Sequence, residues 1–192
     1  MSLLRRLLAA LGLFVAAGAS ATAPATPVQA ATAIKDPENT LIMQLKTGRV
    51  VIEMRPDLAP HHVARIKELV RKGFYDGTPF HRVIDGFMAQ GGDPTGTGTG
   101  GSGQKLKAEF SNEHHVRGTA SMARAQDPDS ADSQFFICFA PAPFLDGQYT
   151  IWGQVIDGMD NVDQIKKGSG QSGTVRDPDK IVWMKVAADV KE

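Results

Sequence analysis

The sequence is poor in cysteine and has no excess of either charge. Among its 192 residues there is one cysteine, and Lys plus Arg equal Asp plus Glu, so the formal net charge is zero. One thiol cannot close an internal disulfide. Cys138 lies in an apolar run typical of a buried strand, and we interpret it as a core residue and not as a nucleophile. No basic stripe or basic amphipathic helix is present, so we expect neither nucleic acid nor a membrane surface as a partner.

Long hydrophobic runs are also missing, with one exception near the N-terminus. Leu7 to Ala19 is apolar but too short to span a bilayer comfortably, and two arginines precede it. Small residues then recur at spacings that a signal peptidase accepts, and cleavage after Ala30 is preferred. We predict that residues 1–30 are a signal peptide and that the protein is exported to the periplasm, with no stable membrane insertion after cleavage. A membrane anchor and a disordered tail are the alternatives.

The rest of the chain predicts one mainly-β domain, residues 40–192, after a short lead-in at residues 31–39. Twenty glycines and short apolar runs are typical of tight turns between strands. Apolar residues at helical spacing predict a helix over residues 57–72, and a second short helix is expected near residues 160–167. The predicted strands cover residues 40–46, 49–54, 80–84, 87–90, 118–123, 134–139, 151–156 and 181–187. A closed barrel of about eight strands would leave no strand edge unpaired.

Several motifs suggest other chemistries but lack the necessary context. The glycine-rich run at residues 96–103 is not followed by the Gly-Lys-Ser/Thr of a phosphate loop, so no nucleotide is predicted. Two adjacent histidine pairs, at residues 61–62 and 114–115, lack the i, i+4 spacing of a zinc site, and we interpret them as surface or turn residues. Ser121 and Ser133 have no Gly-x-Ser-x-Gly context, which disfavours a serine hydrolase. We predict no metal and no cofactor.

Three segments carry a specific resemblance. FHRVIDGFMAQGGD begins at Phe80, SMARA begins at Ser121, and SQFFICFAPAPFLDGQYTIWGQV begins at Ser133. Together they resemble the cyclophilin family, and the resemblance extends in order and spacing over residues 38–188. It implies a closed eight-stranded antiparallel β-barrel capped by two α-helices, with peptidyl-prolyl cis/trans isomerase activity.

Such an activity needs no nucleophile, metal or proton transfer. Resonance in the X–Pro amide imposes a rotation barrier of about 20 kcal/mol. A donor aimed at the prolyl nitrogen stabilises the twisted amide, because the nitrogen lone pair becomes available only there. Arg82 offers fixed donors on a permanently charged group, and it is the predicted catalytic residue. A surface salt bridge is the alternative role for an arginine on a strand.

The resemblance also implies which residues bind the peptide. They are Phe87, Met88, Gln90, Gly98, Ala123, Arg124, Gln134, Phe136, Phe144, Leu145 and Tyr149. Apolar members would hold the proline ring, while the two glutamines and the backbone at residues 123–124 would bond the peptide chain. Alternation along residues 135–139 predicts that Phe136 faces the groove and that its neighbours Phe135 and Ile137 fill the barrel. Plain core packing is the alternative for Phe87 or Phe136 taken alone.

Three positions depart from the familiar eukaryotic cyclophilin pattern. Phe144 replaces a tryptophan, Tyr149 a histidine and Arg124 an asparagine. Loss of the indole donor predicts weak cyclosporin binding, whereas Tyr149 still offers a hydroxyl. These changes resemble the bacterial exported branch, in agreement with the predicted signal peptide.

We therefore predict an exported isomerase that assists folding, acting as a monomer on proline-containing segments of exported client proteins. A chaperone-like module that binds such segments without turnover is the alternative. A small exported hydrolase is a third possibility, but the sequence lacks a Ser/His/Asp or metal constellation in a suitable context.

Overall fold

Eight antiparallel strands and two α-helices form the domain in the computed structural model, which describes residues 33–190. The strands are β1 (Thr40–Leu45), β2 (Gly48–Met54), β3 (Arg82–Ile84), β4 (Met88–Gly91), β5 (Thr119–Met122), β6 (Phe135–Cys138), β7 (Ile151–Asp157) and β8 (Trp183–Val186). The helices are α1 (Pro60–Arg71) and α2 (Met159–Asp163). Each strand overlaps a predicted one, so the mainly-β prediction with two helices is confirmed.

The strands belong to one sheet with the spatial order β3-β4-β6-β5-β7-β2-β1-β8. At the predicted turn between β1 and β2, Gly48 has φ +143°, a backbone conformation that residues other than glycine rarely adopt. In the middle of the sheet, Gln90 of β4 and Ser121 of β5 both lie opposite Phe136 of β6. This register brings the three distinctive sequence segments side by side.

Helix α1 begins three residues later than predicted. The N–H groups of Leu58 and Ala59 both donate to the Arg55 carbonyl at 3.0 Å, which makes a turn before the helix. Pro60 then occupies the first helical turn, where its missing N–H costs little. The buried face of the helix contains His62, Val63, Ile66, Leu69 and Val70. Helix α2 ends at Asp163 and is therefore shorter than predicted.

Side-chain alternation divides the buried apolar residues into two clusters. The larger one joins the inner face of the sheet to α1 and includes Phe135, Ile137 and Phe139. The smaller one lies on the other face of β4 and β6; its buried members are Met88, Phe136, Cys138, Ala142 and Leu145. The predicted orientation of Phe136 away from its neighbours is confirmed.

The finer prediction, a closed barrel, is not matched by the strand pairing. Strands β3 and β8 are the two edges of the sheet, and within residues 33–190 no ladder joins them, so the sheet is an open, curled one. Isolated bridges nevertheless connect Pro79 with Lys180 and Arg82 with Thr174. The segments before the two edge strands are joined by several backbone hydrogen bonds, including those from the Gly77 N–H to the Ile181 carbonyl and from the Ile181 N–H to the Thr78 carbonyl.

The N-terminal predictions are only partly accessible in this structure. The predicted signal peptide, residues 1–30, lies outside the described residues. In the lead-in, Pro37–Asn39 forms one 3-10 turn, and the Asp36 side chain accepts a hydrogen bond from the Asn39 N–H. None of the helices in the described part of the chain has the length and apolar character needed to cross a membrane.

Candidate active site

A pocket of about 400 Å³ opens beside the smaller apolar cluster. Strands β3, β4 and β6 form one side, and the segment of residues 142–150, here called the wall segment, forms the other. The lining residues are Arg82, Phe87, Met88, Gln90, Ala123, Arg124, Phe136, Phe144, Leu145, Gln148 and Tyr149. All of them except Gln148 belong to the predicted site, so the structure brings together residues far apart in the sequence.

One end of the pocket is apolar and largely prearranged. Met88, Phe136 and Leu145 are buried and form its floor. The Phe136 ring meets the Tyr149 ring edge to face, with centroids 5.7 Å apart. Phe144 is 63% exposed at the rim. A hydrophobic slot of this kind can hold a small ring while excluding water from it.

The other end of the pocket is polar and centres on Arg82. Its Nε donates to the Ser172 carbonyl at 3.0 Å, and its Nη1 donates to Gln90 Oε1 at 3.1 Å. No hydrogen bond of Nη2 and no salt bridge of Arg82 occurs among residues 33–190. The salt-bridge alternative therefore has no support there, and the guanidinium is held by neutral groups with one nitrogen unused.

Gln90 continues this network away from the pocket. Its Nε2 donates to Gln134 Oε1 at 2.9 Å, and Gln134 Nε2 donates to the carbonyls of Gly98 and Gly100. The amide of Gln90 thus presents its oxygen to Arg82 in a fixed orientation. Both glutamine side chains are engaged within the protein, so their predicted bonds to a peptide stay predictions.

Asp93 anchors the loop that ends this network. Its carboxylate accepts hydrogen bonds from Thr95 and from the N–H groups of Gly98 and Gly100. Burial alone would raise the pKa of Asp93, but these hydrogen bonds outweigh it and hold the pKa at about 2. The glycine-rich run is therefore a loop tied to a buried carboxylate and not a phosphate cradle.

An adjoining pocket of about 420 Å³ completes the predicted set. It shares Gln90, Ala123 and Arg124 with the first pocket, and it is also lined by Gly98 and Gln134. The Ala123 N–H donates to the Gln134 carbonyl at 2.9 Å. All twelve predicted site residues therefore line one of two pockets that share a border.

Gln148 is a lining residue that the sequence analysis misses. Its carbonyl accepts a hydrogen bond from Arg124 Nε at 3.1 Å, and the Arg124 guanidinium lies 4.7 Å from the Tyr149 ring centroid. These contacts join two segments that are far apart in the sequence. In the sequence, the only feature that could have indicated Gln148 as a pocket residue is its position beside Tyr149.

The interpretation of both histidine pairs as surface residues is wrong for one member of each. His62 and His115 are buried, whereas His61 and His114 are exposed. Adjacent side chains point in different directions, so one member of each pair faces inward. His62 Nδ1 lies 2.6 Å from a Glu109 oxygen. In the part of the chain that the structure describes, no group of three or more His, Cys, Asp or Glu residues could hold a metal ion.

Cys138 is buried and unpaired within the described residues, as its position in an apolar run suggests. Burial, with a smaller effect of Asp146, raises the pKa of the thiol to about 12. A thiol of this kind is not ionised at neutral pH, which agrees with a packing role.

Comparisons with known proteins agree with this geometry. Residues 40–186 match the family described as cyclophilin type peptidyl-prolyl cis-trans isomerase/CLD. A probable peptidyl-prolyl cis-trans isomerase from Brucella suis is 54% identical over the whole of both chains. A peptidyl-prolyl cis-trans isomerase from Synechococcus elongatus is 41% identical over 77% of this chain and 96% of its own.

Solved structures give the same result. A crystal structure of a cyclophilin from Hirschia baltica has a TM-score of 0.73 and 30% identity, covering 81% of this chain and 76% of its own. A Cryptosporidium parvum cyclophilin, crystallised in the presence of the dipeptide Ala-Pro, has a TM-score of 0.70 and 32% identity, covering 77% and 98%. The chain belongs to the cyclophilin family and is a peptidyl-prolyl cis/trans isomerase.

Proposed function

We propose that the pocket is the catalytic site, that Arg82 is the catalytic residue, and that the substrates are X–Pro bonds in exported proteins. The observation that carries this proposal is that Arg82 lines the same pocket as the apolar side chains of Met88, Phe136 and Leu145. A proline ring in the slot would place its nitrogen toward the guanidinium. The Ala-Pro dipeptide used with the Cryptosporidium parvum relative supports a peptide of this type.

The proposed mechanism relies on binding the twisted amide more tightly than the planar one. The Nη2 of Arg82 would donate to the prolyl nitrogen, whose lone pair is free only when resonance is broken. Gln90 and the Ser172 carbonyl hold the guanidinium in place beforehand, so little reorganisation is needed during the reaction. Phe136, Met88 and Leu145 would fix the ring while the preceding carbonyl rotates.

The energies required are moderate. Uncatalysed isomerisation takes ~10–100 s, so a turnover of ~10³ s⁻¹ corresponds to roughly 7 kcal/mol of barrier lowering. A hydrogen bond from a charged donor supplies about 1.5–3 kcal/mol. Exclusion of water from the rotating amide and orientation of the peptide backbone, as distinct from the hold on the proline ring, would supply the remainder. Arg82 alone would therefore supply less than half of the barrier lowering.

The Arg82→Ala variant tests this assignment. We expect kcat/KM for a short Ala-Pro peptide to fall by about 10²-fold, because one charged hydrogen bond in the transition state is lost. The control is Arg49→Ala: Arg49 is exposed on β2, and its side chain makes no hydrogen bond or ion pair among residues 33–190. This control should keep wild-type activity.

Two results would contradict the assignment. Wild-type turnover by folded Arg82→Ala protein would remove Arg82 from the mechanism. Tight binding of proline peptides by the wild-type protein without acceleration would instead favour the chaperone-like binding module.

We also propose that the protein works as a monomer in the periplasm, after removal of residues 1–30. The apolar run behind two arginines and the small residues before Ala30 support the export and the cleavage. Fractionation of producing cells, with N-terminal sequencing of the recovered protein, is the test. A periplasmic chain that begins at Ala31 is expected, whereas a cytoplasmic chain that retains Met1 would contradict the proposal.

Closure of the sheet belongs to the same proposal. The Val83 N–H donates to the Gly173 carbonyl at 2.8 Å, and the Phe80 N–H donates to the Asp179 carbonyl at 2.9 Å. These bonds support a barrel that is completed by irregular segments instead of a ladder between the edge strands. Such an ending would leave fewer exposed backbone groups at the edges.

A further inference from the structure

His115 is a buried histidine for which the proposed mechanism has no role. Its side chain is 1% exposed, and its Nδ1 lies 3.0 Å from Asp146 Oδ1. The backbone N–H of His115 donates to the same oxygen at 2.8 Å, and His114 Nδ1 lies 2.7 Å from Oδ2. Hydrogen bonds from His114 and His115 hold the pKa of Asp146 well below its usual range. Asp146 is therefore an ionised anchor in the middle of the wall segment.

His115 is also connected to both ends of the wall segment, directly to one end and through Ser121 to the other. Its carbonyl accepts a hydrogen bond from the Ala142 N–H at 2.8 Å. Its Nε2 lies 3.1 Å from Ser121 Oγ, and Ser121 Oγ lies 2.9 Å from the Thr150 carbonyl oxygen. Between these ends the segment contributes four residues to the pocket. They are Phe144, Leu145, Gln148 and Tyr149.

The same histidine supports the opposite side of the pocket. Its ring stacks on Phe136, with centroids 6.1 Å apart and planes at 15°. Phe136 is itself buried and meets Tyr149 edge to face. Because close-packed rings transmit displacements to each other, a shift of His115 would move the phenyl that lines the pocket.

The row Asp146, His115, Ser121 has the order of a hydrolase triad, but the serine cannot act as a nucleophile here. Ser121 is fully buried, and its Oγ lies within hydrogen-bond distance of both His115 Nε2 and the Thr150 carbonyl oxygen. Ser121 is absent from the lining of the pocket. A substrate carbonyl therefore has no route to its oxygen, and the row serves to hold the pocket together.

We propose that His115 is a positioning residue for the isomerase reaction: with Asp146 it fixes the wall segment and Phe136 in the geometry that binds the proline ring. The inference rests on the proposed pocket. The apolar slot would hold the proline ring equally well when the amide is planar and when it is twisted. Loosening the slot therefore weakens the binding of substrate and transition state equally, which is a loss of uniform binding. Uniform binding is measured by KM and leaves kcat unchanged.

Two variants test this role. His115→Leu removes the side-chain hydrogen bonds and keeps an apolar side chain in the site, while Asp146→Asn removes the charge and keeps the shape. Each should raise KM for an Ala-Pro peptide about tenfold and leave kcat within about twofold. A merely structural role would lower the folded fraction, which reduces apparent kcat at constant KM.

His62→Leu is the matched control, because His62 is also a buried histidine beside a carboxylate but does not line either pocket. It should leave KM unchanged. An unchanged KM in both His115→Leu and Asp146→Asn would overturn the inference, and so would an equal rise in His62→Leu. Arg82→Ala in the same assay keeps the two proposals separate: if it lowers kcat while the His115 and Asp146 variants behave as wild type, only the positioning role fails.

Discussion

Arg82 differs from an ordinary surface arginine in what holds it. Its Nε and Nη1 donate to uncharged oxygens of Ser172 and Gln90, and no carboxylate within residues 33–190 neutralises it. In the proposed function, this uncompensated guanidinium charge would act on a bound peptide. The conformational entropy that the Arg82 side chain loses on being oriented is lost when the protein folds, so it would not have to be lost again when a peptide binds.

Phe144 is the residue at which we predict that a substitution changes inhibitor binding. It lies at the pocket rim with its ring centroid 5.3 Å from that of Phe87. Phe144→Trp adds an indole N–H donor, and one neutral hydrogen bond of ~0.5–1.5 kcal/mol should strengthen cyclosporin inhibition about two- to tenfold. Inhibition curves measure this, and Phe110→Trp, at an exposed phenylalanine outside both pockets, should give no change. Equal inhibition of Phe144→Trp and the parent would contradict the prediction.

The sequence predicts pocket residues better than it predicts buried polar ones. Phe136 and Met88 lie in continuous motifs whose alternation determines their orientation. Buried His115 and His62 lie against Asp146 and Glu109, which come from other parts of the chain. No local pattern contains that information, so solvent exposure is the default expectation for such histidines.

At the scale of elements, a loop supports β3, the strand that begins with Arg82. Strand β3 has only three residues, and residues 168–174 pack beside it through hydrogen bonds from Val83 to Gly173 and from Gly168 to Val83. The Ser172 carbonyl that holds Arg82 belongs to this loop. Gly173 has φ +69°, and an added Cβ would contact Ile84 and lie 3.0 Å from the Val83 carbonyl oxygen.

Gly173→Ala should therefore lower both stability and kcat. The left-handed conformation costs ~1–2 kcal/mol for alanine, and the contact with β3 adds roughly 1–3 kcal/mol. Gly86→Ala is the control, because Gly86 has the same φ of +69° but nothing within 4 Å of an added Cβ. Urea denaturation and isomerase assays measure the difference. If both variants lose the same stability and Gly173→Ala keeps full kcat, this loop does not position Arg82.

Element types are predictable here, but element ends and sheet closure are not. Helix α1 begins late because a turn at Arg55 uses the backbone groups of two residues that the apolar spacing places in the helix. The edge strands meet the rest of the chain through irregular segments such as Pro79 and Lys180. Such segments have no hydrophobic period, so their pairing follows only from the three-dimensional arrangement.

Across the whole molecule, three buried histidines link stability to pH. They are His62, His81 and His115. Burial is the main cause that lowers the pKa of each, against opposing carboxylates. The charged or titratable neighbours of His62 are Glu109 and His61. Those of His81 are Asp93 and Arg82, and that of His115 is Asp146. Exposed His114 has the opposite shift, because Asp146 raises its pKa.

Stability should therefore fall on mild acidification. Just below the ordinary histidine value of 6.5, the unfolded chain binds more protons than the folded one, so the free energy of unfolding decreases as pH falls. We expect the urea midpoint to decrease between about pH 7.5 and 5.5, above the range where the carboxylates titrate. His62→Leu should make this pH dependence shallower. A midpoint that stays constant or rises on acidification would show that the buried histidines do not control stability in this range.

The exchange rate between cis and trans peptide on the saturated enzyme, measured by NMR for wild type and Arg82→Ala, tests the catalytic role of Arg82 most directly. Saturation separates the rotation step from binding. We expect a rate about 10²-fold lower in the variant, with peptide affinity reduced only slightly and the folded spectrum retained. A variant that binds the peptide and exchanges it at the wild-type rate would contradict the catalytic role of Arg82.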